Sequence, residues 1–222
     1  DAVDAVVRVF QGQGFHDKIS YIRDLGKMKS KDMQITLGFT DEEMQLYDPT
    51  NDTGYKNELV ELSDEQLLNN IQTLQRQNNI KLSPSLVKDL GRCSLDIEME
   101  TGTGKTYVYI KTMFELNKKY GWSTFIVVVP SIAIREGVKK SFEVTTDHFM
   151  EHYGKKARFF IYNSSNLNQL DNFSSNSGIN VMIINTQAFA TSLKEGGRSK
   201  ESRIIYSKRD EFASRRPFDV IK

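Results

Sequence analysis

The chain has 222 residues, of which 38% are hydrophobic and 27% are charged. This length allows one or two domains with a real core, and 13 Phe and 9 Tyr residues argue against a disordered tail. Thirty Lys and Arg residues oppose 29 Asp and Glu residues, so any basic surface that binds nucleic acid must be local. The single cysteine, Cys93, excludes an internal disulfide framework and a zinc ribbon.

The first part of the chain predicts two helices separated by less regular sequence. Apolar residues at helical spacing predict the opening helix within residues 1–10. Residues 15–62 are polar, with turn signals at Asp48-Pro49 and Asp52-Thr53-Gly54. Capping-box patterns join Thr40 to Glu43 and Ser63 to Gln66, and the second predicts a helix over residues 64–79. Its stripe of Leu67, Leu68, Ile71 and Leu74 indicates a core face, with a partner-docking face as the alternative.

The second part alternates between strand and helix patterns. The predicted elements, in chain order, are a strand over 93–99, a helix over 105–120, a strand over 125–129, a helix marked by Ile134, Val138, Phe142 and Phe149, a strand over 157–162, a loop over 163–180, a strand over 179–184 and an exposed connection over 191–216. Continuous apolar runs such as Phe125 to Val129 are typical of strands buried in a parallel sheet. We therefore predict an α/β fold with a mostly parallel sheet, divided into residues 1–90 and 91–222.

A glycine-bearing turn between a predicted strand and a predicted helix indicates a phosphate site. The segment is Glu100-Thr101-Gly102-Thr103-Gly104-Lys105-Thr106. Gly102 and Gly104 allow the backbone amides to approach phosphate oxygens at a helix N-terminus. Lys105 supplies a cation for the terminal phosphates of a nucleotide, and the Thr106 hydroxyl suits Mg²⁺. Met99 stands where the general phosphate-loop pattern has its first glycine.

The stretch from Asp96 to Thr106 resembles motif I of superfamily 2 helicases, and most of all the Res subunit of type III restriction enzymes. The run Val127 to Val138 is similar to that family's motif Ia, and Ile184 to Phe189 lies where motif Ib is expected. The resemblance implies part of a RecA-like motor lobe that binds ATP and Mg²⁺ at residues 100–106, with Lys105 as the catalytic cation. It implies a prokaryotic, cytoplasmic protein.

The same resemblance implies a translocase that moves along double-stranded DNA after a methyltransferase subunit has read an asymmetric site, with cleavage in a separate nuclease domain. The family positions expected to contact the DNA backbone are Pro130, Ser131, Arg135, Thr186 and Gln187. The acidic motif, the second lobe and the nuclease are not recognisable in the chain. We therefore expect an incomplete piece of a larger protein, with weak nucleotide binding and negligible turnover on its own.

Other readings stay open at this stage. The chain could belong to another superfamily 2 DNA or RNA helicase, or it could be a scaffold that binds nucleotide without hydrolysis. His148 and His152 match a zinc-protease pattern by letters, but two solvated histidines explain them more simply. The basic residues Lys208, Arg209, Arg215 and Arg216 indicate either a solvated loop or a DNA contact.

Overall fold

The computed structural model describes residues 1–17, 19–23, 53–89, 91–163 and 168–186. Its packing separates two compact units. The first contains Asp1–Asp17 and Asn57–Trp122, and the second contains the described parts of Lys18–Lys56 and Ser123–Lys222. The predicted division at residue 90 stays a prediction. No helix in the described part of the chain is long and apolar enough to cross a membrane.

The first unit is built from three helices, α1 (Ala2–Val9), α2 (Asp64–Gln77) and α3 (Lys105–Tyr120), with α1 packed against both others. Its core cluster consists of Val9, Leu62, Leu67 and Leu74. The predicted core face of α2 is therefore confirmed at Leu67 and Leu74. The predicted helix over 105–120 agrees with α3 residue for residue.

The capping box at the start of α2 is confirmed. The Gln66 amide donates to Ser63 Oγ at 3.2 Å, and the Ser63 amide donates to Gln66 Oε1 at 2.8 Å. These reciprocal bonds satisfy donors that a helix start otherwise leaves open. The second predicted capping box, Thr40 with Glu43, lies outside the described residues.

The prediction of a strand over 93–99 is wrong for the described residues, because that segment has no regular structure. Cys93 and Leu95 instead pack against the core cluster of the first unit, and the Ser94 amide donates to the Val87 carbonyl at 2.8 Å. The alternation of apolar and polar residues over 93–99 fits a strand, but a strand also needs a neighbouring strand for its backbone hydrogen bonds, which the local pattern does not supply. Cys93 is half-buried, and burial raises the pKa of its thiol. Both observations agree with a cysteine that packs as a small apolar residue.

Gly121 ends α3 with a φ of 80°, and a Cβ there would lie 1.9 Å from the His16 carbonyl oxygen. Gly154 ends α4 (Ile132–Tyr153) with a φ of 63°, but its Cβ would meet nothing within 4 Å. We expect Gly154→Ala to cost ~1–2 kcal/mol of stability from backbone strain alone. Gly121→Ala should cost a further ~1–3 kcal/mol because of the clash. Chemical unfolding of both variants checks this difference, and equal losses would contradict it.

The second unit contains a parallel sheet. The strands β3 (Thr124–Val129), β4 (Ala157–Ile161) and β5 (Ile179–Asn185) are arranged in the order β3-β5-β4. The central strand β5 is buried along six of its residues, as its apolar run predicts. Phe159 stacks on Phe142 of α4 at 5.1 Å, whereas its neighbour Phe160 meets Phe173 at 5.7 Å. Since neighbouring strand residues point to opposite faces, helices cover both faces of the sheet, and the predicted α/β fold is confirmed.

Residues predicted as an asparagine-rich loop contain the helix α5 (Asn168–Ser175). Leu170 and Phe173, three residues apart, are buried at 0% and 4% exposure, so burial of this face outweighs the local preference for a loop.

Residues 15–62 were predicted as irregular, but they contribute an antiparallel pair, β1 (Ile19–Ile22) and β2 (Thr53–Lys56). The predicted turn residues Thr53 and Gly54 lie within β2.

A buried ion pair joins this β-pair to α5. Arg23, directly after β1, is 5% exposed, and Asp171 of α5 is 1% exposed. Arg23 Nη1 lies 3.8 Å from Asp171 Oδ1, and it donates to the Asp171 carbonyl at 2.9 Å and to Ser174 Oγ at 3.2 Å. The hydrogen bonds reduce the cost of placing two charges away from water.

Candidate functional site

The glycine-bearing turn has the backbone shape that a phosphate site requires. Gly102 and Gly104 have φ values of 85° and 84°, in the left-handed region. Gly104 is also the N-cap of α3, and no side chain in the described part of the chain caps that helix start. The positive end of the helix dipole at this start favours negative charge, so the start of α3 suits an anion.

The turn is held in shape by Thr103. Its hydroxyl donates to the Glu100 carbonyl at 2.6 Å, and its amide donates to the same oxygen at 3.4 Å. The Thr103 side chain is therefore occupied within the turn, so its contribution is to shape the backbone. Such a local bond replaces flexibility with a preformed conformation.

The turn is open to solvent. Residues 100–105 are all exposed, and a Cβ at Gly102 or Gly104 would meet nothing within 4 Å. The structure thus leaves space in front of the turn.

The first turn of α3 carries the two side chains predicted to act on a nucleotide. Lys105 is exposed and Thr106 is half-buried. One turn further on, burial raises the pKa of Tyr109, and the nearby Thr106 hydroxyl opposes that rise. The two hydroxyls do not form a well-aligned hydrogen bond, because the buried Tyr109 oxygen has no partner among the described residues. Sequence reasoning missed Tyr109, although its spacing from Thr106 places both on one helix face.

A magnesium ion fits the donors present at this turn. Among the residues that the structure describes, no group of three or more His, Cys, Asp or Glu side chains could hold a metal ion. Mg²⁺ usually keeps several waters and binds through few protein ligands together with substrate phosphates. The single hydroxyl of Thr106 beside an exposed anion turn suits such a shared site.

In the second unit, strand register brings the motif Ia and motif Ib positions together. Val129, the last residue of β3, pairs with Asn185, the last residue of β5. Pro130 and Ser131 follow β3, and Thr186 follows β5; all three are exposed. These positions therefore lie at the carboxyl edge of one sheet, whereas Gln187 lies outside the described residues.

Two of these residues also have structural partners. Ser131 caps α4, since its Oγ accepts from the Ile134 amide at 3.3 Å. Arg135 is paired with its neighbour Glu136, with Nη2 to Oε1 at 3.0 Å. A ligand phosphate would have to compete with that carboxylate for the guanidinium. Asn185, which the sequence did not single out, has a buried Oδ1 without a partner among the described residues.

The two histidines of the zinc-protease pattern both lie on α4. The rings of His148 and His152 lie 4.3 Å apart, and His152 Nδ1 is 2.8 Å from the His148 carbonyl. Neither belongs to a metal-binding group in the described ranges. The basic residues Lys208, Arg209, Arg215 and Arg216 lie outside those ranges.

Comparison with known proteins agrees with these motifs. The family model described as type III restriction enzyme, res subunit, matches residues 64–215. The chain is 38% identical over 110 residues to the EcoP15I Res subunit of Escherichia coli, which covers 47% of this chain and 11% of that protein. It is 34% identical over 107 residues to the EcoPI Res subunit of Escherichia phage P1, with the same coverage. Identity to the StyLTI Res subunit of Salmonella typhimurium strain LT2 is 45% over 64 residues, covering 29% of this chain and 6% of that protein.

The matched stretches span about a tenth of the first two relatives. The family model, by contrast, spans more than half of this chain and includes the glycine-bearing turn and the motif Ia and Ib positions. The chain therefore belongs to the Res-subunit family of type III restriction enzymes.

Proposed function

We propose that this chain is part of the ATP-dependent DNA translocase motor of a type III restriction endonuclease, acting with double-stranded DNA and a methyltransferase subunit. The observation that carries the proposal is the turn at residues 100–106, which is exposed over 100–105, has two left-handed glycines and leads into a helix start that no described side chain caps. Family membership supports the motor assignment over an isolated anion site. The three named relatives are Res subunits of restriction-modification enzymes.

The residues of the turn suggest how ATP is held. Backbone amides of residues 102–105 would cradle the β-phosphate, and the Lys105 ammonium would stabilise charge that develops on the transferred phosphoryl group. Thr106 would ligate Mg²⁺, which when bound neutralises phosphate charge. Because the turn is preformed by the Thr103 bond to Glu100, little reorganisation is needed on binding.

The carboxyl edge of the sheet is proposed to hold the DNA backbone. Pro130, Ser131, Arg135, Thr186 and Gln187 are the residues assigned to this role. Exposed hydroxyls and a guanidinium contact phosphates without reading base edges, which a translocase requires because it must move over any sequence.

ATP hydrolysis by the full-length protein tests the motor assignment. We expect duplex DNA to stimulate hydrolysis and RNA to leave it unchanged. Stimulation by RNA alone would favour a different superfamily 2 helicase. If the protein bound nucleotide but did not hydrolyse it, whichever nucleic acid was added, the result would favour a scaffold that binds nucleotide without hydrolysis. We expect the 222-residue chain by itself to show negligible turnover.

The salt dependence of DNA binding tests the proposed interface. We expect Arg135→Ala to reduce the slope of log affinity against log salt by about one unit in the full-length protein. Lys140→Ala is the matched control. Lys140, like Arg135, pairs with a glutamate on α4, with Nζ 3.5 Å from Glu143 Oε2, but it lies on a different face of the helix. Equal slopes for the two variants would remove Arg135 from the interface.

A further inference from the structure

We propose that Tyr109 is a positioning residue for the Thr106 hydroxyl, orienting it toward Mg²⁺; this inference rests on the nucleotide site proposed above. The role would belong to the Tyr109 hydroxyl and not to its ring. Tyr109 itself would touch neither the metal nor the nucleotide.

The first observation is that the Tyr109 hydroxyl is buried without a partner. Its oxygen has no hydrogen bond among the described residues. Buried tyrosine hydroxyls normally find one. Tyr120, on the same helix, does so: it is 1% exposed, and its hydroxyl donates to the Val7 carbonyl at 2.8 Å. Tyr109 therefore keeps unused hydrogen-bonding capacity inside the protein.

The second observation is the position of Tyr109 relative to Thr106 on α3. Thr106 and Tyr109 are three residues apart on α3, so their side chains are neighbours on one face of the helix. Thr106 is half-buried and directly follows the exposed residues of the turn, and Tyr109 is half-buried as well.

A threonine hydroxyl that binds a metal ion needs a nearby hydrogen-bond acceptor for its proton. A threonine hydroxyl that binds Mg²⁺ directs a lone pair to the ion, so its proton must point elsewhere. An oxygen acceptor beside it fixes that orientation, as partners behind metal ligands generally do. The Tyr109 hydroxyl oxygen can accept this proton, since a phenolic oxygen is an acceptor as well as a donor.

Metal binding by the full-length protein separates this role from a purely structural one. Mn²⁺ affinity is measured by electron paramagnetic resonance in the presence of a non-hydrolysable ATP analogue. We expect Tyr109→Phe to weaken Mn²⁺ about tenfold. Binding of the analogue without divalent metal should be unchanged. The matched control is Tyr107→Phe, because Tyr107 is exposed at 38% and lies on another face of α3; it should bind Mn²⁺ as the parent does.

A double-mutant cycle tests whether Tyr109 acts through Thr106. Thr106→Val should weaken Mn²⁺ strongly, and adding Tyr109→Phe to that variant should cause no further loss. The thermal midpoint of Tyr109→Phe should be unchanged or raised, because the substitution removes an unpaired buried hydroxyl.

Several results would overturn the inference. Parent-like Mn²⁺ affinity in Tyr109→Phe would do so, as would additive effects in the cycle. An equal loss of metal-free nucleotide binding would identify Tyr109 as a packing residue. If the parent protein bound no metal–nucleotide complex, the proposed function would fail first, and this inference with it.

Discussion

On the proposed function, replacing Lys105 with alanine should abolish ATP-dependent DNA cleavage by the full-length protein together with a methyltransferase subunit. Lys105 is exposed in the first turn of α3, directly after the left-handed Gly104. Removing a preorganised positive group from charge that develops in the transition state typically costs ~10²–10³-fold in kcat. We therefore expect ATP hydrolysis to fall by at least that factor.

The measurements are site-specific cleavage with and without ATP, and the rate of ATP hydrolysis, each in the parent and in the variant. Lys118→Ala is the matched control, since Lys118 is an exposed lysine in the last turn of the same helix, far along its axis from the glycine turn. It should retain parent-like activity. A Lys105→Ala protein that cuts DNA at the parent rate would show that the turn is not the ATP site.

Breaking the buried pair of Arg23 and Asp171 should cause the largest loss of stability in the second unit. Arg23→Met leaves the Asp171 carboxylate, which is 1% exposed, without its cationic neighbour. Removing one partner of a buried pair typically costs ~3–5 kcal/mol, because the remaining charge is uncompensated. Hydrogen exchange of β1, β2 and α5 should accelerate by roughly two to four orders of magnitude, at ~1.4 kcal/mol for each factor of ten.

The control is Lys156→Ala, whose partner Asp147 lies 3.8 Å away with a fully exposed side chain. Surface pairs of this kind contribute ~0–1 kcal/mol, so exchange should hardly change. Replacing both members, as Arg23→Met with Asp171→Leu, should recover part of the loss. Unchanged exchange in Arg23→Met would mean that the pair does not hold the β-pair to α5.

Features that depend on neighbours in sequence were predictable. The bounds of α3 follow from glycines at both ends, Gly104 and Gly121, which adopt positive φ values that other residues avoid. The start of α2 follows from a capping box that spans three residues. The strands β3 and β5 follow from short apolar runs, and motif I follows from its letters and spacing.

Features that depend on distant residues were not predictable. The segment over 93–99 has the apolar content of a strand, but it packs against the helical core of the first unit instead. The helix α5 forms in asparagine-rich sequence because Leu170 and Phe173 become buried. The unpaired hydroxyl of Tyr109 is likewise visible only once the burial of its oxygen is known.

By itself the sequence determined the chemistry available to this protein: a glycine turn, a lysine and a threonine in the order that suits a nucleotide, and apolar runs that suit a parallel sheet. Only tertiary structure decided that the turn faces solvent and that Val129 and Asn185 end their strands side by side. It also joined Arg23 to Asp171 across 148 positions. The reason is physical: backbone propensity and capping act within a few residues, whereas burial and strand pairing are set by chain segments that meet only on folding.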